Sequence, residues 1–249
     1  MKRLFVWIVA AAVLLVGGVQ SALAGTFTDS LEAGINPTYW SIISLNGGTP
    51  PFYSATPSSS GVTFSTTDDR SSPNSIQYIG LSLNMAAVGG AISGNFSTQV
   101  SFQGAQIFGG GLDQVEFHPA FSNNNIWFDV RNYDNVHVWD GGSQDGTSSI
   151  ESIPGASETS GTFTITRSGS TVSDFFDGQL IASETETSPL TGIVFILQNN
   201  ESSNDSTAVT YNDFSITAAS VGVPEPSTLA LLGACLPSLS MIRRRKVIR

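Results

Sequence analysis

The chain has 249 residues and a formal charge of −10, and between residues 25 and 222 only Arg70, Arg131 and Arg167 stand against nineteen acidic residues, giving −16 with no lysine. Such a surface repels nucleic-acid phosphates and anionic lipid, which excludes DNA and RNA as partners. The single cysteine, Cys235, lies near the C-terminus, so this stretch has neither a disulfide nor a thiol nucleophile.

At the N-terminus Lys2 and Arg3 precede an apolar run over residues 4–19. Ala22-Leu23-Ala24 then offers the small residues that a signal peptidase reads. The pattern predicts a signal peptide over 1–24, cleavage after Ala24 and a mature N-terminus at Gly25. Residues 25–222 follow as one exported domain, long enough to bury a sizeable core, and 223–249 form a separate tail.

Within the exported domain the apolar residues recur with period two in VTFST, SIQYIGLSL, FSTQVSF, VEFHPAF, IWFDVRNY, TFTITR and GIVFILQ. Each run is bounded by Gly, Pro, Asn, Asp or Ser, which predicts an all-β, antiparallel sandwich. Residues 85–92, MAAVGGAI, carry the only helical tendency, and their glycines argue for a loop. IWFDVRNY and VHVWD make a hairpin. A three-residue loop of Tyr133, Asp134 and Asn135 would pair Val130 with Val138, collecting Ile126, Phe128, Val130, Val136 and Val138 on one face. Trp127, Asp129, Arg131, His137 and Trp139 would then share the other. Exposed aromatics stack on sugar rings while charged groups fix hydroxyls, so these five are the candidate carbohydrate-binding residues; the two tryptophans could instead pack beneath a neighbouring loop or sheet. Residues 161–183 read as three strands, turning at Ser168-Gly169-Ser170 and at Asp177-Gly178.

Catalytic patterns are scarce. The nearest pair of carboxylates, Asp113 and Glu116, has an i,i+3 spacing that sends the two to opposite faces of a strand, whereas retaining glycoside hydrolysis needs a pair about 5 Å apart. His118 and His137 are isolated, His118 is expected at a strand end, and there is no zinc or nucleophile-elbow motif. Two acidic, amide-rich loops, 123–129 and 199–205, offer oxygen ligands for Ca²⁺ without an EF-hand spacing. No other cofactor is expected.

FTDSLEAGINPTYWSI (27–42), ITRSGSTVSDFFDGQLI (165–181) and VTYNDFSIT (209–217) resemble segments of concanavalin-A-like lectin and glucanase domains. The resemblance implies a jelly-roll sandwich whose first and last strands pair. The tail resembles the PEP-CTERM sorting signal. Pro224-Glu225-Pro226 matches its motif, residues 227–242 its apolar segment, and Arg243-Arg244-Arg245-Lys246 its basic end. That resemblance implies a bacterial exosortase as processing partner, a Gram-negative-type host and an association with exopolysaccharide. The apolar segment is short and contains Pro237, so it reads as a transient membrane stop, with the basic end kept cytoplasmic. The expected function is that of a non-catalytic, exported cell-surface or extracellular-matrix protein; the alternatives are a carbohydrate-binding module and, third, a glycan hydrolase.

Overall fold

A computed structural model describes residues 25–45, 53–67, 77–106, 114–123, 126–133, 136–143, 149–151, 159–199 and 206–219, with strands over 126–151 given by their backbone pairing. The expected signal peptide and sorting tail lie outside the described residues. The first sheet runs, in order, β13 (Gln179–Thr185), β12 (Thr171–Phe176), β11 (Ser160–Ser168), β6 (Phe96–Gln106), β15 (Ser206–Ala218), β4 (Gly61–Thr67) and β3 (Tyr53–Ser58), and β1 (Gly25–Asp29) pairs with the end of β15. The second runs β10 (Ser149–Glu151), β9 (Val136–Ser143), β8 (Ile126–Tyr133), β7 (Gln114–Phe121), β14 (Leu190–Asn199), β5 (Gln77–Leu83) and β2 (Trp40–Leu45). Every pairing is antiparallel, so the fold is the expected antiparallel β-sandwich, with its first and last strands paired.

Alternation decides which residues meet between the sheets. In β6, Phe96, Thr98, Val100 and Phe102 are buried while Ser97 and Gln99 are exposed. The β11–β12 hairpin follows the same rule, burying Phe163, Ile165, Val172 and Phe176. Aromatic rings fill the interior: Phe102 lies 5.2 Å from Phe163, and Trp40 is edge-on to Phe195 at 5.2 Å. Trp40 also donates its indole N–H to Asp29 at 2.8 Å, fastening β2 to the end of β1. The outer face of the first sheet is polar instead, with cross-strand hydroxyl pairs such as Thr63–Thr210 at 2.8 Å and Ser101–Thr162 at 2.9 Å.

The turns follow their residues closely. Asp177 and Gly178 both have positive φ, 48° and 79°, as a two-residue hairpin between Phe176 and Gln179 requires. The preceding turn is tighter than expected: Ser168 pairs with Thr171, leaving only Gly169 and Ser170 to connect them. Residues 85–92 are also more ordered than expected. Met85–Val88 form a 3₁₀ turn that buries Met85 and Val88, and Ile92 bridges to Leu190. Buried Arg167 holds this region to the sandwich by donating to the carbonyls of Gly94, Ser188 and Ile92, while its guanidinium lies 5.2 Å from the Phe96 ring. Among the described residues no helix is long and apolar enough to cross a membrane.

One polar residue sits on the apolar side of β12. Asp174 lies between Val172 and Phe176, and its Oδ1 is buried without a hydrogen-bond partner. Burial pushes its carboxyl well above the usual carboxylate range, and Glu184 adds to the effect. The native state therefore retains a proton that the unfolded chain releases, so stability falls as pH rises from the ordinary carboxylate value towards the raised one. Asp174→Asn should melt higher than the parent at neutral pH, and the difference should shrink towards pH 4; paired thermal melts across that range check it.

Candidate functional site

β7 reads Gln-Val-Glu-Phe-His-Pro-Ala-Phe. Val115, Phe117 and Phe121 point into the core, so Gln114, Glu116 and His118 belong to the opposite face of the second sheet. Glu116 is only 4% exposed, and its carboxylate is bonded to the imidazole Nε2 of His118, two residues further along the strand. A carboxylate so far removed from water requires a partner of this kind. His118 thus stands inside β7 rather than at its end. The ladder to β8 covers Gln114–Phe117, and Pro119 supplies no N–H to extend it, while the ladder to β14 continues to Phe121.

Beside this pair lies a cleft of about 340 Å³, within the range of small-molecule sites. Val194 and Ile196 of β14, Ile43 of β2 and Tyr78 of β5 line it, with Gln198, Glu116 and His118 as its polar groups. Gly80 pairs with both Ile43 and Ile196 and puts no side chain between them. A Cβ at Gly80 would strike Ile196 and the Phe195 carbonyl, so the close approach of β5 and β14 depends on that glycine. The cleft combines an apolar surface and an aromatic ring with an amide and a hydrogen-bonded carboxylate, groups suited to a ring with one apolar face and a polar edge.

Tyr211 supports the cleft from below. It rises from β15 in the first sheet, crosses the core fully buried, and donates its hydroxyl to the Ile196 carbonyl at 2.6 Å and towards the Glu116 carbonyl at 3.2 Å. Burial, reinforced by the Glu116 charge and partly offset by the bond to the Glu116 carbonyl, pushes the phenol well above its ordinary range, so it remains a donor.

The register of the β8–β9 hairpin differs from the expected one. Tyr133 pairs with Val136 and Val130 with Trp139, leaving two residues between the strands instead of three. Val130 also pairs with core-lining Val115, so the position of Trp139 has core-facing parity. The expected register grouped Trp139 with the charged residues, whereas this register treats the tryptophan as an apolar residue. Trp127, Asp129 and Arg131 consequently take the parity of Glu116, with Asp129 opposite Glu116 and Arg131 opposite Gln114, while His137 and Trp139 take the other. Side chains over 126–143 lie outside the described residues. The i,i+3 test that set Glu116 aside missed the strand period, which is visible in Gln114-x-Glu116-x-His118. Asp113 and most of the two candidate Ca²⁺ loops lie outside the described residues, and the described residues contain no group of three metal-ligating side chains.

Residues 222–246 match the PEP-CTERM protein-sorting motif family. The chain carries a PEP-CTERM sorting signal. This signal marks a bacterial protein for export and sorting to the cell envelope or surface and implies processing by an exosortase. No curated protein matches the sequence. Several solved structures share the fold of this chain's described domain. An endo-β-galactosidase from Clostridium perfringens that releases GlcNAcα1-4Gal is 8% identical with a TM-score of 0.57, over 80% of this chain and 64% of that one, so the chain spans less than two thirds of its length. The Thermotoga maritima laminarinase catalytic domain is 12% identical with a TM-score of 0.56, over 77% and 96% of the two chains. A Bacillus licheniformis β-glucanase is 15% identical with a TM-score of 0.54, over 78% and 98%. These likenesses are of fold alone and make the sandwich a concanavalin-A-like jelly roll.

Removing the hydroxyl that joins the two sheets under the cleft leaves the Ile196 carbonyl without this donor. Tyr211→Phe should lower unfolding stability by about 1–2 kcal/mol, read as an earlier urea midpoint at unchanged slope.

Proposed function

We propose that this PEP-CTERM protein is a non-catalytic surface or matrix component whose jelly roll binds carbohydrate in the cleft between Tyr78 and His118. The observation that carries the reading is the state of Glu116: the carboxylate is buried and held by the histidine of its own strand, beside an aromatic ring, an amide and an apolar floor. That arrangement orients a hydrogen bond to a sugar hydroxyl. The bond within β7 engages one oxygen of the carboxylate with the imidazole of His118. The sorting signal supports a site of action at the cell surface, and exopolysaccharide is the glycan that such a protein would meet there. Trp127 and Arg131 would extend the site across β8, whereas His137 and Trp139, by their register, would not.

One observation favours a second reading, glycan hydrolysis. Asp129 is the register partner of Glu116, so the two acidic residues are direct cross-strand neighbours on one face of the sheet, and a retaining mechanism uses two carboxyl groups close together.

One experiment separates the readings. The secreted protein should retain a polysaccharide in affinity electrophoresis without releasing new reducing ends, and Tyr78→Ala should weaken retention about tenfold or more, the loss of one stacked ring. New reducing ends that vanish in Glu116→Gln would establish hydrolysis instead. Mass spectrometry of the same material should show an N-terminus at Gly25 and a C-terminus close to Pro224-Glu225-Pro226; an intact Arg249 in the mature protein would contradict processing.

A further inference from the structure

We infer that the free edge of β2 is the surface through which two copies of this chain pair, by strand addition about a two-fold axis at Ile42. β2 closes the second sheet and, among the described residues, pairs with β5 alone. A sheet margin presents unpaired backbone groups, and folded chains usually blunt it with charge, proline or shortness. The other margins here are blunted in that way: β3 contains Pro57, β13 contains Glu184, β10 ends on Glu151 and β1 on Asp29. β2 reads Trp-Ser-Ile-Ile-Ser-Leu, without charge or proline.

The residues leading into β2 fix the direction of its backbone groups. The Tyr39 carbonyl accepts from the N–H of Asn84, just beyond β5, at 2.7 Å, while the Trp40 N–H turns to the Asn36 carbonyl at 2.9 Å. Alternate residues of an antiparallel strand direct both backbone groups to the same side. Ser41 and Ile43 therefore bond β5, and Ile42 and Ser44 direct theirs to the free edge. Ile42 also offers apolar surface there. It lies opposite core Leu81, yet at the margin of the sheet it is 52% exposed.

Charge selects a second copy as the occupant. A domain of −16 repels another of its kind over most of its surface. Residues 33–67, which include β2, β3 and β4, contain no Asp, Glu, Lys, Arg or His. β2 ends one sheet and β3 ends the other, and β3 packs against β5, so the two margins meet on one side of the sandwich. Two copies approach there with least repulsion.

A two-fold axis perpendicular to the sheet keeps every residue on its own face, so it passes through a residue and not between two. At Ile42 it joins that residue to its own copy by reciprocal N–H to carbonyl bonds and sets Ser44 opposite Trp40 of the partner subunit. Ser41 of the partner subunit then stands beside Ile43, which lines the cleft. The two clefts share one face of the joined sheet. Pairing consumes the unblunted edge, so association closes at two copies.

The test uses the secreted, processed protein. Sedimentation velocity should show a monomer–dimer equilibrium that strengthens as salt is raised, because salt screens the like charges of the two domains. Amide exchange followed by NMR should find Ser41 and Ile43 protected at every concentration, and Ile42 and Ser44 protected only where dimer is present. Ser44→Pro removes an N–H that faces the free edge, which an edge strand tolerates, and should weaken association about tenfold or more. Ile42→Glu should weaken it by about as much, since it sets like charges together at the axis. Melting of the dilute protein should be unchanged in both variants. A monomer at all concentrations and salts, growth beyond the dimer, or a dimer in which Ile42 and Ser44 exchange freely overturns the inference. Association unchanged in both variants also overturns it. Each of these outcomes leaves the carbohydrate reading of the cleft as it stands.

Discussion

The hydroxyl of Tyr211 joins the two sheets at the point where the second sheet carries its cleft. Apolar burial is non-directional and favours contact between the sheets without pairing one particular atom with another. A buried donor between two carbonyls does have direction. Tyr211 comes from the longest strand of the first sheet and reaches the backbone at Ile196 and Glu116, the two register partners that flank the cleft floor. The phenol stays protonated because its surroundings disfavour the anion. The cleft is therefore set against the core by a fixed contact and not only by the shape of the packed rings.

The second constraint is the strand period itself. Because β7 alternates strictly, Val115 and Phe117 belong to the core, and Gln114, Glu116 and His118 are brought together without any loop to arrange them. A site built on a strand flanked on both sides inherits the rigidity of the sheet. The same logic operates on the first sheet, where alternation produces hydroxyl pairs and leaves a face with little apolar surface. Among the buried polar residues described on this sheet, Asp174 is a carboxyl on the core side of β12, and it makes that end of the sandwich sensitive to proton concentration.

Much of the fold was legible in the residues. FSTQVSF and TFTITR announced both their strands and their buried faces, and Asp177-Gly178 fixed its hairpin by backbone preference. Pairing between distant segments was harder to read, since a period of two states which residues share a face and not which strand lies opposite. The β8–β9 hairpin shows how this failed: segregation by polarity placed Trp139 with the charged residues, but tryptophan is mostly apolar surface and its position is opposite Val130. The cleft was illegible for a related reason. Ile43, Tyr78, Ile196 and Glu116 come from four strands separated by long stretches of sequence, and only the sheet order makes them neighbours. What could have been read locally was Gln114-x-Glu116-x-His118, provided it was measured in strand steps.

The pairing of β1 with β15 has a mechanical consequence. Gly25 stands opposite Ala218, the hydroxyls of Thr26 and Thr217 meet at 2.9 Å, and the sorting signal begins at residue 222. The two segments expected to be trimmed thus leave the sandwich at one corner. A precursor attached by either segment, or by both, would hang from that corner like a pendant, not stretch between two anchorages.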